Sequence, residues 1–221
     1  MKNDLTQISL FRGIDPEEIP VLLSYLNAKE RSYKKGDILF LEGTPTEMAG
    51  IVLSGMILIE LGDVWGNNSV LNKIGSGGIF AEAYACTPDE PLMVNVSAAE
   101  DTAVLFLNIR RALTACSVPP VSTLIRNLFI LCAEKNLQLS RRILHTGSKS
   151  IRGRLLSYFS ECIKKAGSYS FDIPYNRQQL ADYLSVERSA LCSELSKMQK
   201  SGILRYHKNH FEIHQTANIL G

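Results

Sequence analysis

Asn176 to Leu204, NRQQLADYLSVERSALCSELSKMQKSGIL, decides how the rest of the chain is read. The stretch predicts two short helices. The first covers about Arg177–Leu184, with Leu180, Ala181 and Leu184 on one face. Asn176 precedes it as an N-cap candidate, because its side-chain oxygen can accept from an unpaired backbone N–H. The second helix covers about Glu187–Lys200, with Leu191, Leu195 and Met198 as its buried stripe. Gly202 ends it, since glycine takes the left-handed conformation past a helix without penalty. Only Ser185-Val186 separate the two, so the helices must cross steeply, as in a helix-turn-helix. An ordinary helical hairpin would read the same. The residues beyond Gly202 narrow the choice: Ile203–Tyr206 and Phe211–His214 read as strands around a turn at Lys208-Asn209, which adds a wing.

The charge is unevenly placed. Over the whole chain it is +2, with 45% hydrophobic and 21% charged residues. Residues 1–140 hold 11 Lys and Arg against 16 Asp and Glu, a net −5; residues 141–221 hold 13 against 6, a net +7. All four histidines lie at or beyond His145. A basic C-terminal third with a winged helix fits contact with the phosphates of double-stranded DNA. No apolar run approaches the ~18 residues a membrane helix needs. The N-terminus lacks a charged-then-apolar leader pattern, so a cytoplasmic protein is expected. Cys86, Cys116, Cys132, Cys162 and Cys192 are odd in number and unpaired in spacing, which favours reduced thiols over disulfides or zinc.

Upstream, Asp15-Pro16-Glu17-Glu18 predicts a helix running to about Leu26. From Arg31 to Leu107 short apolar runs alternate with glycine turns. Tyr33, Ile38–Leu41, Gly50–Leu53, Met56–Ile59, Val70–Ile74, Leu92–Val96 and Ala103–Leu107 are strand candidates, with turns that include Gly62-Asp63 and Gly66-Asn67. This pattern predicts an antiparallel sandwich or barrel. Asn108–Ala115 reads as helix. Pro119-Pro120 marks a break, and a helix of about 27 residues, near 40 Å long, continues to His145. That is longer than one small barrel covers, so its apolar stripe is expected to meet the same helix of a second chain, with burial against its own barrel as the competing reading. Gly147-Ser148 is the expected hinge, and Ser150–Lys165 a further helix. The class is therefore α+β: an N-terminal antiparallel β-roll (cupin-like) over 1–117, a long central dimerisation helix over 118–147, and a C-terminal winged helix-turn-helix over 148–221.

This order resembles the Crp/Fnr superfamily of dimeric transcription regulators related to the catabolite activator protein. The resemblance rests on Phe11–Ile14 with Glu18-Ile19, Tyr33–Asp37, Glu42-Gly43, Ile51–Gly55, Gly75–Phe80, Gly153–Leu156 and Arg177–Ala181 through Gly202–Leu204. It implies a homodimer on a DNA operator, an effector bound between the β-roll and the central helix, and RNA polymerase as a partner if the chain activates transcription. It also implies recognition helices about 34 Å apart in successive major grooves.

The sequence departs from the cyclic-nucleotide pattern of that family. Phe-Gly-Glu becomes Phe80-Ala81-Glu82, and the phosphate-binding Arg with its Ser/Thr falls on Leu92-Met93. A buried phosphate there would lack a charge-assisted partner, so tight cyclic AMP binding is not expected. Glu82 either binds an effector or caps a turn. Phe80, Glu82, Tyr84, Leu92, Val94, Leu139 and Ser140 form the candidate effector pocket, with a plain packed core as the competing reading. No iron–sulfur cluster is expected, because the first cysteine is Cys86, and no haem, because the sensor half has no histidine.

For base reading the candidates are Arg188, Ser189, Cys192 and Ser193, with Ser189 and Ser193 where many relatives carry Glu and Arg. Arg188 suits a bidentate contact to guanine or a phosphate clamp. Arg177, Lys197 and Lys208 are the backbone-contact candidates. Competing functions are an effector-independent or protein-regulated member with a vestigial pocket, and a cyclic-nucleotide sensor acting through proteins. No spacing suggests a nucleophile and base, so an enzyme is not expected. His207, His210 and His214 alternate on the wing without an evident further metal ligand.

Overall fold

The computed structural model describes residues 5–62, 68–87, 89–115 and 119–214. Asp63, the Gly66-Asn67 turn, Cys116 and the boundary expected near residue 117 lie outside them. The chain divides into two compact units, 1–133 and 134–221, so the division falls inside the long helix rather than at either of its ends.

In the first unit, α1 covers Ile19–Tyr25, and it starts later than Asp15-Pro16 suggested. The Asp15 carboxylate accepts from the Glu17 amide and closes a turn there. Pro20 instead occupies the helix's first turn, where a missing N–H costs nothing. Eight strands come next: β1 (Lys29–Tyr33), β2 (Ile38–Phe40), β3 (Met48–Ser54), β4 (Met56–Gly62), β5 (Asn68–Gly75), β6 (Ile79–Phe80), β7 (Asn95–Ala98) and β8 (Thr102–Asn108). They form two antiparallel four-stranded sheets, ordered β1-β8-β3-β6 and β2-β7-β4-β5. Two-residue β6 was too short to show as a periodic run. Leu92–Val94, expected in a strand, precedes β7 as irregular chain. A one-turn helix, α2 (Glu82–Cys86), and α3 (Ile109–Thr114) complete the roll.

Strands β3 and β8 read as continuous apolar runs because both their faces are buried. Ile51, Leu53, Leu105 and Leu107 point into a core shared with α1, α3 and the first turns of α4 (Val121–Thr146). The alternating residues Val52, Val104 and Phe106 point the other way, into a second core with Ile57, Phe80 and Val96 between the sheets. At the N-terminal turns, the buried Asn127 amide of α4 donates to the carbonyls of Leu10 and Arg12 at 2.9 and 2.7 Å.

The second unit holds the end of α4, then α5 (Ile151–Ala166), β9 (Ser170–Asp172), α6 (Arg177–Leu184), α7 (Arg188–Lys200), β10 (Leu204–His207) and β11 (His210–Ile213). The Asn176 side chain accepts from Gln179 N at 2.9 Å, and the Gln179 side chain accepts from Asn176 N at 2.9 Å. This reciprocal box fixes the start of α6. Gly202, at φ +74, ends α7. The sheet runs β10-β11-β9, so the predicted hairpin wing gains a third strand. One core joins Leu155 and Phe159 of α5, Leu180 and Leu184 of α6, Leu191, Leu195 and Met198 of α7, and Phe211 of the wing.

Candidate nucleic-acid interface and sensor region

The α7 stripe Leu191, Leu195 and Met198 is wholly buried. The 3.6-residue repeat therefore turns Ser189, Ser193, Ser196 and Lys200 outward along one face, and all four are exposed. Arg188 is exposed at the first turn, and Cys192 is half-buried beside it. Ser196 donates back to Cys192 O at 2.9 Å, so its hydroxyl is partly engaged within the helix. Lys197 is exposed, with Glu194 at 4.0 Å, while Glu194 is held more closely by Arg152 at 2.7 Å. Lys208 sits at the wing turn with φ +51. Arg177, expected at a backbone phosphate, makes contacts within the chain. Its guanidinium donates to Lys208 O at 2.6 Å and covers the rings of Tyr206 and Phe211.

Two arginines that sequence reasoning left without a role fix the C-terminal end of α6. Arg142 donates to Tyr183 O at 3.1 Å and Asp182 O at 2.9 Å. Arg154 donates to Leu184 O and Ser185 O, each at 2.9 Å. These are the carbonyls a helix end leaves unpaired, and cations are favoured there. Buried His145, in the last turn of α4, reaches Glu161 at 2.8 Å through Nε2 and the Tyr183 hydroxyl at 2.9 Å through Nδ1. Tyr158 packs edge-on against its ring. Burial holds the imidazole below its ordinary range, against the opposing attraction of Glu161. Burial also pushes the Tyr183 phenol up to about 12. Glu161 stays below the usual carboxylate range: burial opposes this, but Lys165, His145 and Arg141 outweigh it. Among these contacts the Glu161–Lys165 pair is local, at i and i+4; the others join residues far apart in sequence, and no local pattern marks them.

Of the predicted effector residues, Phe80, Glu82, Tyr84, Leu92 and Val94 lie in the first unit, and Leu139 and Ser140 in the second. Phe80 is 1% exposed and packs edge-on against Phe40 and Phe106, at 5.9 and 6.2 Å. Glu82 is buried at the start of α2, behind Ala81, which adopts a left-handed φ of +59. Leu92 is buried, with its backbone paired to Gly43 and Thr44 at 2.8 and 3.0 Å. Tyr84 accepts at its hydroxyl from Met93 N at 3.4 Å, and Val94 is half-buried. Leu139 and Ser140 lie on the exposed face of α4 in the second unit. A cleft of about 340 Å³ in the first unit is lined instead by residues such as Thr46, Glu47, Cys86 and Arg110.

Along α4, Phe129, Ala133, Asn136, Ser140 and Ile143 recur at alternating spacings of four and three, opposite the buried Leu124 and Leu128. Ile130, Leu137 and Leu144 flank that line. Phe129 is 73%, Ile143 69% and Leu144 72% exposed.

A family model of the cyclic nucleotide-binding domain matches residues 30–117, and one of the Crp-like helix-turn-helix domain matches residues 153–218. The chain is a Crp-family transcription regulator. The cyclic AMP receptor protein of Thermus thermophilus is 23% identical over 208 residues, covering 94% of this chain and 93% of its own. The same fold occurs in the c-di-GMP responsive regulator CLP of Xanthomonas campestris, at 17% identity and TM-score 0.56, covering 91% of this chain and all of that one. It occurs again in OCPA-complexed CprK, at 15% identity and TM-score 0.62, covering 89% and 91%. In this Crp-family regulator, His210 contacts Ser170 Oγ and Asp172 Oδ1, at 3.0 and 3.1 Å. Among the described residues no cluster of His, Cys, Asp and Glu is placed to hold a metal, and no helix is long and apolar enough to cross a membrane.

Proposed function

We propose that this Crp-family regulator acts as a homodimer that reads a specific DNA operator through α7. The exposed Arg188–Ser189–Ser193 surface at the start of α7, in a unit with net charge +7, carries the reading. Arg188 makes the base contact, Cys192 lies at its edge, and Lys197 and Lys208 meet backbone phosphates. The exposed α4 seam pairs with its copy in a second chain, with Asn136 as the polar member that selects register. Footprinting across the genome, then binding of the recovered site by wild type and Arg188→Ala, tests this. Preference for the recovered site falls in the variant; uniform weakening on every sequence would assign Arg188 to phosphate instead.

The β-roll responds to an effector that is not cyclic AMP. Leu92 puts a buried methyl-bearing chain where the cyclic-nucleotide pattern needs a cation, and charge burial without a partner costs several kcal/mol. Relatives of this fold are described as responsive to c-di-GMP and as complexed with OCPA, so the fold leaves effector chemistry open. The packed Phe40–Phe80–Phe106 interior favours a second reading, an effector-independent regulator with a vestigial pocket. Calorimetry with cyclic AMP tests the first point, and micromolar binding refutes it. Operator binding with and without a cell extract separates the two readings.

A further inference from the structure

The wing turn is held from two sides. Its Asn209 carbonyl accepts from the backbone N–H of Ile173 at 2.9 Å. Its Lys208 carbonyl accepts from Nη2 of Arg177 at 2.6 Å, across 31 residues of sequence. Lys208 itself has a left-handed backbone, which a side chain tolerates only where its surroundings enforce it. The Arg177 guanidinium lies 4.9 Å from the Tyr206 ring centroid and 5.0 Å from that of Phe211. Those rings face each other across β10 and β11, with centroids 5.7 Å apart. Nη1 is sealed from solvent and has no hydrogen-bond partner among the described residues. A guanidinium spread over two aromatic faces, with one nitrogen donating to the turn and another enclosed, is poorly placed to meet a phosphate. The ring contacts offset its desolvation.

We infer that Arg177 is a positioning residue: it ties the start of α6 to the wing turn and thereby aims Lys208 at the DNA backbone, without touching a phosphate itself. The inference rests on reading Lys208 as a phosphate contact, and the test separates the two. Binding of a random-sequence DNA duplex is measured as a function of salt for wild type, Arg177→Gln, Arg177→Lys, Lys208→Gln and the Arg177→Gln/Lys208→Gln pair. Each lost phosphate contact lowers the slope of log affinity against log salt by about 0.9. Expected results are a loss of about 0.9 for either Gln variant and no further loss for the pair. Arg177→Lys should behave like Arg177→Gln, because a lysine keeps the charge but not the planar donor geometry.

Losses that add to about 1.8 in the pair, or wild-type binding by Arg177→Lys, overturn the inference while leaving Lys208 on the phosphate. An unchanged slope for Lys208→Gln overturns the Lys208 reading and the inference with it. A second readout needs no DNA. Amide exchange at Lys208, Asn209 and His210 should quicken at least severalfold in Arg177→Lys, and unchanged exchange also overturns the inference.

Discussion

Phe80→Ala tests whether the space between the two sheets is a packed core or a ligand pocket. Phe80 is 1% exposed, and its ring meets Phe40 and Phe106 edge-on. The tip of its ring also lies against Gly50, where an added Cβ would come within 2.1 Å of Cζ. Truncating so enclosed an aromatic costs about 3–5 kcal/mol, because lost transfer energy adds to that of an unfilled cavity. Most domains have only about 5–15 kcal/mol in total. Urea unfolding monitored by circular dichroism should show the midpoint falling with the slope unchanged. An aromatic solute that fits the vacated space should restore part of the loss in the variant and nothing in wild type. A loss below about 1 kcal/mol would refute the reasoning. The interior would then be loosely filled, and the effector reading of Phe80 would regain its footing.

The remaining predictions concern strain, charge and assembly. Ala81→Gly should raise stability by roughly 0.5–1 kcal/mol, since Ala81 holds φ +59 where glycine is unstrained; thermal melting checks it, and a loss would show that the methyl packs. His145 is held below its ordinary range, so the folded form takes up a proton less readily than the unfolded chain does. Its stabilising effect is complete above the unfolded value of about 6.5 and is lost as pH falls from there through the lower folded value. Urea midpoints across that window should fall with pH in wild type and less so in His145→Gln. Ile143→Asp and Leu144→Asp should yield monomers by light scattering, because each places a charge on a side chain about 70% exposed in the single chain and buried in the proposed dimer. Folded dimers from both variants would move the interface elsewhere.

What the sequence determines by itself here is local. The Asn176–Gln179 box, the Gly202 stop and the Ser150 cap each act within about four residues of chain, so the ends of α5, α6 and α7 were legible without a fold. Strand spacing and the glycine turns likewise gave the β-roll, and charge placement gave the basic third. The opening of α1 misled because Asp15 closes a turn as readily as it begins a helix. Only tertiary structure decided what the long side chains do. β3 and β8 alternate between two cores, and two-residue β6 is too short for periodicity to say that Phe80 fills the inter-sheet space. Arg142, Arg154 and Arg177 look in sequence like free surface cations, yet their guanidinium groups are engaged by carbonyls 30 to 41 residues away. A hydrogen bond across that distance depends on which backbone groups the fold leaves unpaired and shields from water, and no window of sequence contains that information.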